Sequence, residues 1–348
     1  MRLRRRLATA TFAAVGLALL GGCVGPTGSG DRGSVDASTP PAAPALTFTA
    51  SGDIGATTES AKTLEQIRSL EPDLHLALGD LSYGETGEEG VWCEFVTDRI
   101  GTGIPFQLLS GNHESDGLNG HIDVFADCLP NRLPGLAGEY ARQYYVDVPA
   151  NVPLVRFVMI SPGLTFSDGP WLYAPGSERF EWTREAIEGA REAGIGWVVV
   201  GMHKPCLSIG NYGCDPGPEL VDLLVSSGVD LVVSGHEHLY QRTVQLGIGD
   251  GCASIAPQRI SAACVVDEGA SVDQGGGTVF VTVGTGGTAL RDVHTDDPDM
   301  AYFGAWSGAN AEPSWGNLEV RLTESFLEAE FIAAVGSFAD RFRIVARD

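Results

Sequence analysis

The sequence predicts an α/β fold in which two β-sheets form a sandwich flanked by helices, an α-β-β-α stack of layers. Three observations lead there. From Ala45 onward, short apolar runs alternate with amphipathic stretches, the pattern of a layered α/β chain. The last third keeps strands but loses long helices, so the sheets are mixed. Polar clusters rich in Gly, Asp, Asn and His follow the carboxyl ends of five separate predicted strands, where open α/β sheets gather their sites.

In chain order, 46–50 reads as a strand, 59–70 as a helix, 74–78 as a strand, 90–100 as a helix and 105–109 as the next strand. A strand at 154–160 precedes a long helical pattern at 177–193, closed by Gly194. Strands at 197–201 and 229–233 are separated by a helix around 218–225. Beyond them, 278–283, 316–322, 326–332 and 342–345 are strands. Leu318, Val320 and Leu322 alternate with polar residues, as do Leu327, Ala329 and Phe331 against Glu328 and Glu330, which predicts an antiparallel hairpin.

The chain has 348 residues, and about 300 remain after an N-terminal targeting segment and a linker, which suits one large domain. Arg2, Arg4, Arg5 and Arg6 precede an apolar stretch, 7–20, that is short for a membrane span and ends in small residues. This is the layout of a secretory signal over 1–22. The junction Leu20-Gly21-Gly22-Cys23 resembles a bacterial lipobox, which implies an acylated Cys23 at the outer face of the cell membrane; without acylation the chain is secreted. Residues 23–44, rich in Gly, Ser, Thr and Pro, read as a tether to a domain at 45–348.

Net charge is −23, and removing the four leader arginines makes the remainder more acidic still. No Lys/Arg cluster lies outside the leader, which argues against nucleic-acid binding. The sequence identifies no protein partner. Six cysteines besides Cys23, an even number in an exported chain, read as disulfides. Sequence neighbours suggest Cys93–Cys128, Cys206–Cys214 and Cys252–Cys264, although spacing alone does not decide the connectivity; no CxxC spacing supports a zinc knuckle.

The polar clusters are Gly52-Asp53-Ile54-Gly55, Gly79-Asp80-Leu81-Ser82-Tyr83, Gly111-Asn112-His113-Glu114, Met202-His203 and Gly235-His236-Glu237-His238. Singly, an Asp in a Gly-rich turn is a turn former, and a single His is more often a hydrogen-bonded core residue than a ligand. His236 and His238 are the stronger signal, because two residues apart on extended chain they point to one side. Read in order, GDxG, GDxxY, GNHE, a strand ending in His, then GHxH, the chain resembles the calcineurin-like metallophosphoesterase superfamily and, within it, the purple acid phosphatases. The likeness runs from about 47 to 345 and leaves out the fibronectin-like N-terminal domain of plant members.

The subfamily follows from one exchange. Most of the superfamily carries DxH in the first motif; here the third position is Gly55, and Tyr83, three residues after Asp80, supplies a hard anionic donor instead. Carried over by motif, the resemblance implies ferric iron at Asp53, Asp80, Tyr83 and His238. A divalent Fe, Zn or Mn would be held by Asp80, Asn112, His203 and His236, with Asp80 shared. Two such ions about 3.5–4 Å apart clamp an in-line displacement, in which the resemblance implies attack by a metal-held hydroxide. Formal charges of about +5 from the ions and about −4 from their ligands leave roughly +1, a local attraction for a phosphate ester that the acidic surface lacks.

The resemblance makes His113 an acid or phosphate stabiliser, and assigns Glu114 and Glu237 to orienting imidazoles or loops. A further pocket His expected some nine residues after His203 is absent; Asn211-Tyr212-Gly213 stands there, so leaving-group protonation falls to His113, Tyr212 or Lys204. His75 reads as a packed residue, His121 and His294 as loop residues without partners. The function implied is hydrolysis of phosphomonoesters. The alternatives are a phosphodiesterase with the same centre and a non-catalytic surface binding lipoprotein; seven filled ligand positions argue against the last.

Overall fold

The structure is a computed structural model and describes residues 46–347. The proposed signal segment, Cys23 and the tether lie outside the described residues. No helix among those described is long and apolar enough to cross a membrane.

Two sheets carry the fold. In the first, the parallel strands Leu46–Ser51, Leu74–Leu78 and Phe106–Leu109 form one end. The antiparallel strands Trp315–Leu322, Phe326–Val335 and Ala339–Val345 extend the other side, with Ser271–Asp273 at the edge. The second sheet centres on four parallel strands, Val155–Ile160, Trp197–Met202, Leu231–Ser234 and Val279–Val283. Gln143–Val148 and Ala137–Glu139 flank it on one side, Tyr240–Thr243 and Phe303–Ser307 on the other.

The apolar pattern accounts for the layers. Strands Leu74–Leu78, Val155–Ile160 and Trp197–Met202 are buried along their whole length, so both faces must be covered. Leu74, Leu76 and Leu78 point between the sheets, where they share a core with Val155, Phe157, Trp197, Val199 and Val233. Phe48 and Phe157 meet there edge to face, ring centroids 5.0 Å apart. The alternate residues, Ala77, Val158, Val198 and Val200, face outward into the core beneath the helices, with Leu64, Ile67, Val96, Ile187 and Leu220. Thr58–Leu70 and Glu89–Ile100 form the helical layer of the first sheet, Glu178–Glu192 and Pro218–Ser226 that of the second. The α-β-β-α stack is therefore as the sequence predicts.

The hairpin has the expected register: Leu318 faces Phe331, Val320 faces Ala329 and Leu322 faces Leu327, all buried. Ser177 caps Glu178–Glu192 by accepting from Phe180 N (3.3 Å), and Gly194 closes it at φ 73°. The strand expected from 229 begins at Leu231 instead. Asp230 occupies the approach, its carboxylate accepting from Val198 N and from Arg191, each at 2.8 Å. Tyr240–Thr243, buried throughout, escapes an apolar reading because it is polar: Arg242 pairs with Asp340 (2.6 Å) and Gln241 donates to Thr282 (3.1 Å). The three disulfides form as the sequence neighbours suggest, Cys93–Cys128, Cys206–Cys214 and Cys252–Cys264.

Phe157, fully buried between the sheets, sets the scale of this core. Phe157→Ala should destabilise the domain by about 3–5 kcal/mol, read in urea as a lower midpoint at unchanged slope. An unchanged midpoint would mean that the sheets do not pack through this residue.

Candidate metal centre

The parallel strands of both sheets end at one edge of the sandwich, and the loops leaving them turn sharply. Asp53, Asp80, Tyr83 and His236 all adopt positive φ, at 59°, 52°, 54° and 69°. This left-handed region costs a residue with a Cβ about 1–3 kcal/mol and gathers at functional sites. Among the described residues eight non-glycines adopt it, so half of that group sits in this one cluster.

The loops are locked to one another. The ladder between the first two strands continues into them through Asp53 N to Gly79 O (3.0 Å), Ile54 N to Asp80 O (3.0 Å) and Gly55 N to Leu81 O (2.8 Å). Glu114, fully buried, accepts from the backbone N–H groups of Asp80 (3.1 Å), Leu81 (2.5 Å) and Gly111 (2.8 Å), tying the second loop to the third. Burial, with the Asp80 charge beside it, pushes Glu114 up to about 8. Close approach requires glycine at Gly79, where a Cβ would stand 2.6 Å from Gly111 N and 2.7 Å from His203 Nδ1.

All seven residues named as metal ligands come together, in two groups that share Asp80. Donor atoms of Asp53, Asp80 and His238 lie within 4.8 Å of one another, as do those of Asp80, His203 and His236. Tyr83 joins the first group: its hydroxyl is 3.0 Å from Asp53 Oδ1, 3.0 Å from Asp80 Oδ2 and 3.1 Å from His238 Nε2. Asn112 joins the second, its Oδ1 3.2 Å from His203 Nε2. Asp53, Asp80 and His203 are almost wholly buried.

The donor set fits two cations. His203 Nδ1 lies 2.8 Å from Leu78 O and His238 Nδ1 3.0 Å from Ala289 O, so in each neutral ring the proton sits on Nδ1 and Nε2 is bare. His203 Nε2 then faces Asp80 Oδ1 at 3.1 Å, and His238 Nε2 faces Asp53 Oδ1 at 3.3 Å, acceptor against acceptor. The single Tyr83 proton can serve only one of its three acceptors. Such an arrangement is repulsive in a buried site unless positive charge lies between the groups. Carboxylate, phenol, amide oxygen and imidazole without sulfur suit hard to borderline ions.

Titration reflects the same crowding. Burial opposes a charge on His203, but Asp80 beside it raises the imidazole to about 9. Burial likewise opposes ionisation of Asp80, and His203 and then His113 bring it below the usual carboxylate range. Tyr83 is driven far above its ordinary value by burial and then by the Asp53 and Asp80 charges, so a phenolate here requires a strong cation. His236 is held down at about 2, by burial first and then by His203.

His113 flanks the cluster. Asn119 Nδ2 donates to Gly84 O (2.7 Å), which turns its Oδ1 to His113 Nδ1 (2.5 Å). His113 Nε2 is thereby directed toward Asp80 Oδ2 (3.6 Å), and the ring leans on Tyr83. Glu237 accepts from Asn211 N (3.0 Å), Tyr212 N (2.6 Å) and Ser208 Oγ (3.0 Å) and so holds the disulfide-closed loop. Both Glu114 and Glu237 orient loops rather than imidazoles. Lys204 forms an ion pair with Asp215 at 2.5 Å, while Tyr212 stacks on His236 at 4.1 Å.

His75 is buried against Phe106, and His121 precedes the helix Ile122–Cys128. His294, expected without a partner, has one: its Nε2 lies 2.8 Å from Asn211 Oδ1, and its N–H donates to Ile209 O at 2.8 Å. Sequence reasoning also missed Arg291, whose N–H donates to His238 O (2.9 Å) and whose guanidinium carbon lies 4.7 Å from the Tyr212 ring centroid. The available signal was that Arg291 is the only Lys or Arg between Gly284 and Asp297.

Comparison with known proteins bears on the family and the fold. The chain is 26% identical over 300 residues to purple acid phosphatase 18 of Arabidopsis thaliana, covering 82% of this chain and 59% of that protein. It is 29% identical over 224 residues to purple acid phosphatase 21 of the same plant, covering 62% of this chain and 48% of that protein. The solved structure of the purple acid phosphatase PPD1 from yellow lupin (Lupinus luteus) superposes with a TM-score of 0.62 at 18% identity, over 86% of this chain and 54% of that one, and shares the fold. The chain thus spans about half the length of these relatives. The family described as calcineurin-like phosphoesterase matches residues 46–240, an interval that holds all seven clustered residues and more than half of the sequence, and the chain belongs to that family.

Proposed function

We propose that this chain is an exported phosphoesterase that hydrolyses phosphomonoesters at a two-metal centre. The observation that carries the reading is the shared Asp80, placed between two buried groups of donor atoms that converge on it. On this reading 1–22 is a signal segment, Cys23 carries lipid, 23–44 is a tether to the membrane and 45–348 is the catalytic domain.

Asp53, Asp80, Tyr83 and His238 would hold ferric iron, and Asp80, Asn112, His203 and His236 a divalent Fe, Zn or Mn. Two ions in such a site polarise phosphoryl oxygens and acidify bound water. The chain supplies position and protons. Asp80 fixes both groups relative to each other, and Glu114 fixes Asp80 by holding its N–H. Tyr83, neutral in the bare protein, would offer its phenolic oxygen to a ferric ion held there. His113, locked by Asn119, presents Nε2 to the substrate and protonates the leaving oxygen or steadies a phosphoryl oxygen. Lys204, already paired with Asp215, is less suited to that step, and Tyr212 is committed to stacking on His236.

Elemental analysis with an absorption spectrum tests the metals. Two ions per chain and a visible band are expected, with Tyr83→Phe bleaching the band. Active protein with two zinc or manganese ions and no band would remove the iron assignment and leave the hydrolase reading standing. Purified protein loaded with iron and zinc or manganese that hydrolyses no phosphate ester across a broad panel would overturn the function, and faster turnover of diesters than monoesters would reassign the substrate.

His113→Ala should lower kcat by about 10²- to 10⁴-fold while both ions are retained. An unchanged kcat would show that the leaving group draws its proton elsewhere.

A further inference from the structure

Arg291 stands out among the charged groups around the centre because nothing satisfies it. No carboxylate among the described residues forms an ion pair with it, not even exposed Asp292 beside it in sequence, and its Nη1 is buried without a hydrogen-bond partner. Most of the other arginines resolved here are paired with Asp or Glu, and Lys204, the nearby cation, is neutralised by Asp215. A guanidinium left over in a chain of net charge −23 has carboxylates available in quantity, so its isolation is a property of the site.

Its position is fixed from two sides. The Arg291 N–H donates to His238 O, and Ala309 N donates to Arg291 O at 2.7 Å, which holds the backbone beside the GHxH segment. The guanidinium lies over the ring of Tyr212, and Tyr212 in turn lies flat against His236. Tyr212 is itself held by Glu237 through its N–H. Through His238 O on one side and the Tyr212 ring on the other, Arg291 borders both halves of the cluster. Its guanidinium stands one aromatic ring back from the His236 imidazole.

We propose that Arg291 is a specificity-determining residue that binds a second phosphate group on the leaving-group side of the substrate, so that the preferred substrates are organic diphosphates. The assignment rests on the two-metal phosphoesterase reading. A planar guanidinium whose N–H donors are not taken up by the protein matches two oxygens of a phosphate, and the Tyr212 ring holds it beside His236. In the reaction, water adds hydroxyl to the terminal phosphorus and the bond from that phosphorus to the bridging oxygen breaks. The bridging oxygen takes a proton and leaves on the inner phosphate, and Arg291 holds that inner phosphate throughout. Its substrates must therefore come from a reaction that builds phosphoanhydrides, and its products are a monophosphate ester and inorganic phosphate.

The test uses the full metal-loaded protein and two probes that cannot be hydrolysed, methylenediphosphonate with two phosphonate groups and methylphosphonate with one. Calorimetry on wild type, Arg291→Gln and Arg291→Lys reads the affinities, and elemental analysis checks that both ions remain. Arg291→Gln should weaken the diphosphonate about 10- to 100-fold, shift the monophosphonate by less than about threefold, and raise KM for an organic diphosphate with little change in kcat. Arg291→Lys should fall between the two, and decides the matter if the Gln variant does not fold. An unchanged diphosphonate affinity, or equal losses for both probes, overturns the assignment. Wild-type protein that binds the diphosphonate through Arg291 but hydrolyses no phosphate ester would sink the catalytic reading alone.

Discussion

Two carboxylates, Asp53 and Asp80, sit buried at the edge where the two sheets meet, and the bare nitrogens of His238 and His203 face them at 3.3 and 3.1 Å. Unpaired buried anions and lone pairs at such distances repel one another, and burial strengthens the repulsion. Protons relieve part of it, which is why the Asp80 charge draws the buried His203 imidazole up to about 9. Two multivalent cations would relieve all of it. The rest of the molecule is arranged to keep these groups together in spite of that repulsion.

The sandwich supplies the rigidity. Parallel strands in both sheets bring their carboxyl ends to one edge, and cores on each side of each sheet leave the strands little freedom to part. Backbone hydrogen bonds continue past the strand ends into the Asp53 and Asp80 loops, and Glu114 fastens the latter from beneath. Glycine at Gly79 and Gly235 lets the loops close on His203 and Asp53. The left-handed backbone at Asp53, Asp80, Tyr83 and His236 is held in place by these contacts, which resist its relaxation.

Much of this was legible in the sequence because the signals are local. A strand buried on both faces, such as Leu74–Leu78, is a run of apolar residues, and a capped helix such as Glu178–Glu192 carries its Ser and Gly at its ends. The clustering residues were legible because each lies next to a strand end in a short motif, and the Gly55 and Tyr83 exchange is visible within those motifs. What the sequence concealed depends on distant partners. Tyr240–Thr243 is a strand because Asp340 and Thr282 satisfy its polar side chains. Asn119 positions His113 from six residues away, His294 finds Asn211 across 83 residues, and Arg291 reaches Tyr212 only because the loop after Val283 folds back over the site. The surroundings of the cluster are built from such tertiary contacts, so its donor residues were easier to read than their neighbours.

The replacement of a pocket histidine by the Asn211-Tyr212-Gly213 segment acquires a physical meaning in this setting. Tyr212 covers His236 and supports Arg291, so a stacked ring and a guanidinium stand where the resemblance led one to expect an imidazole. On the proposed reading, protonation of the leaving oxygen then rests with His113. Anomalous diffraction from crystals of the protein loaded with iron and zinc is the most direct test of the centre. The account predicts two peaks on either side of Asp80, with the iron signal beside Tyr83 and the zinc signal between His203 and His236. A single peak, or none bordering Asp80, would contradict it.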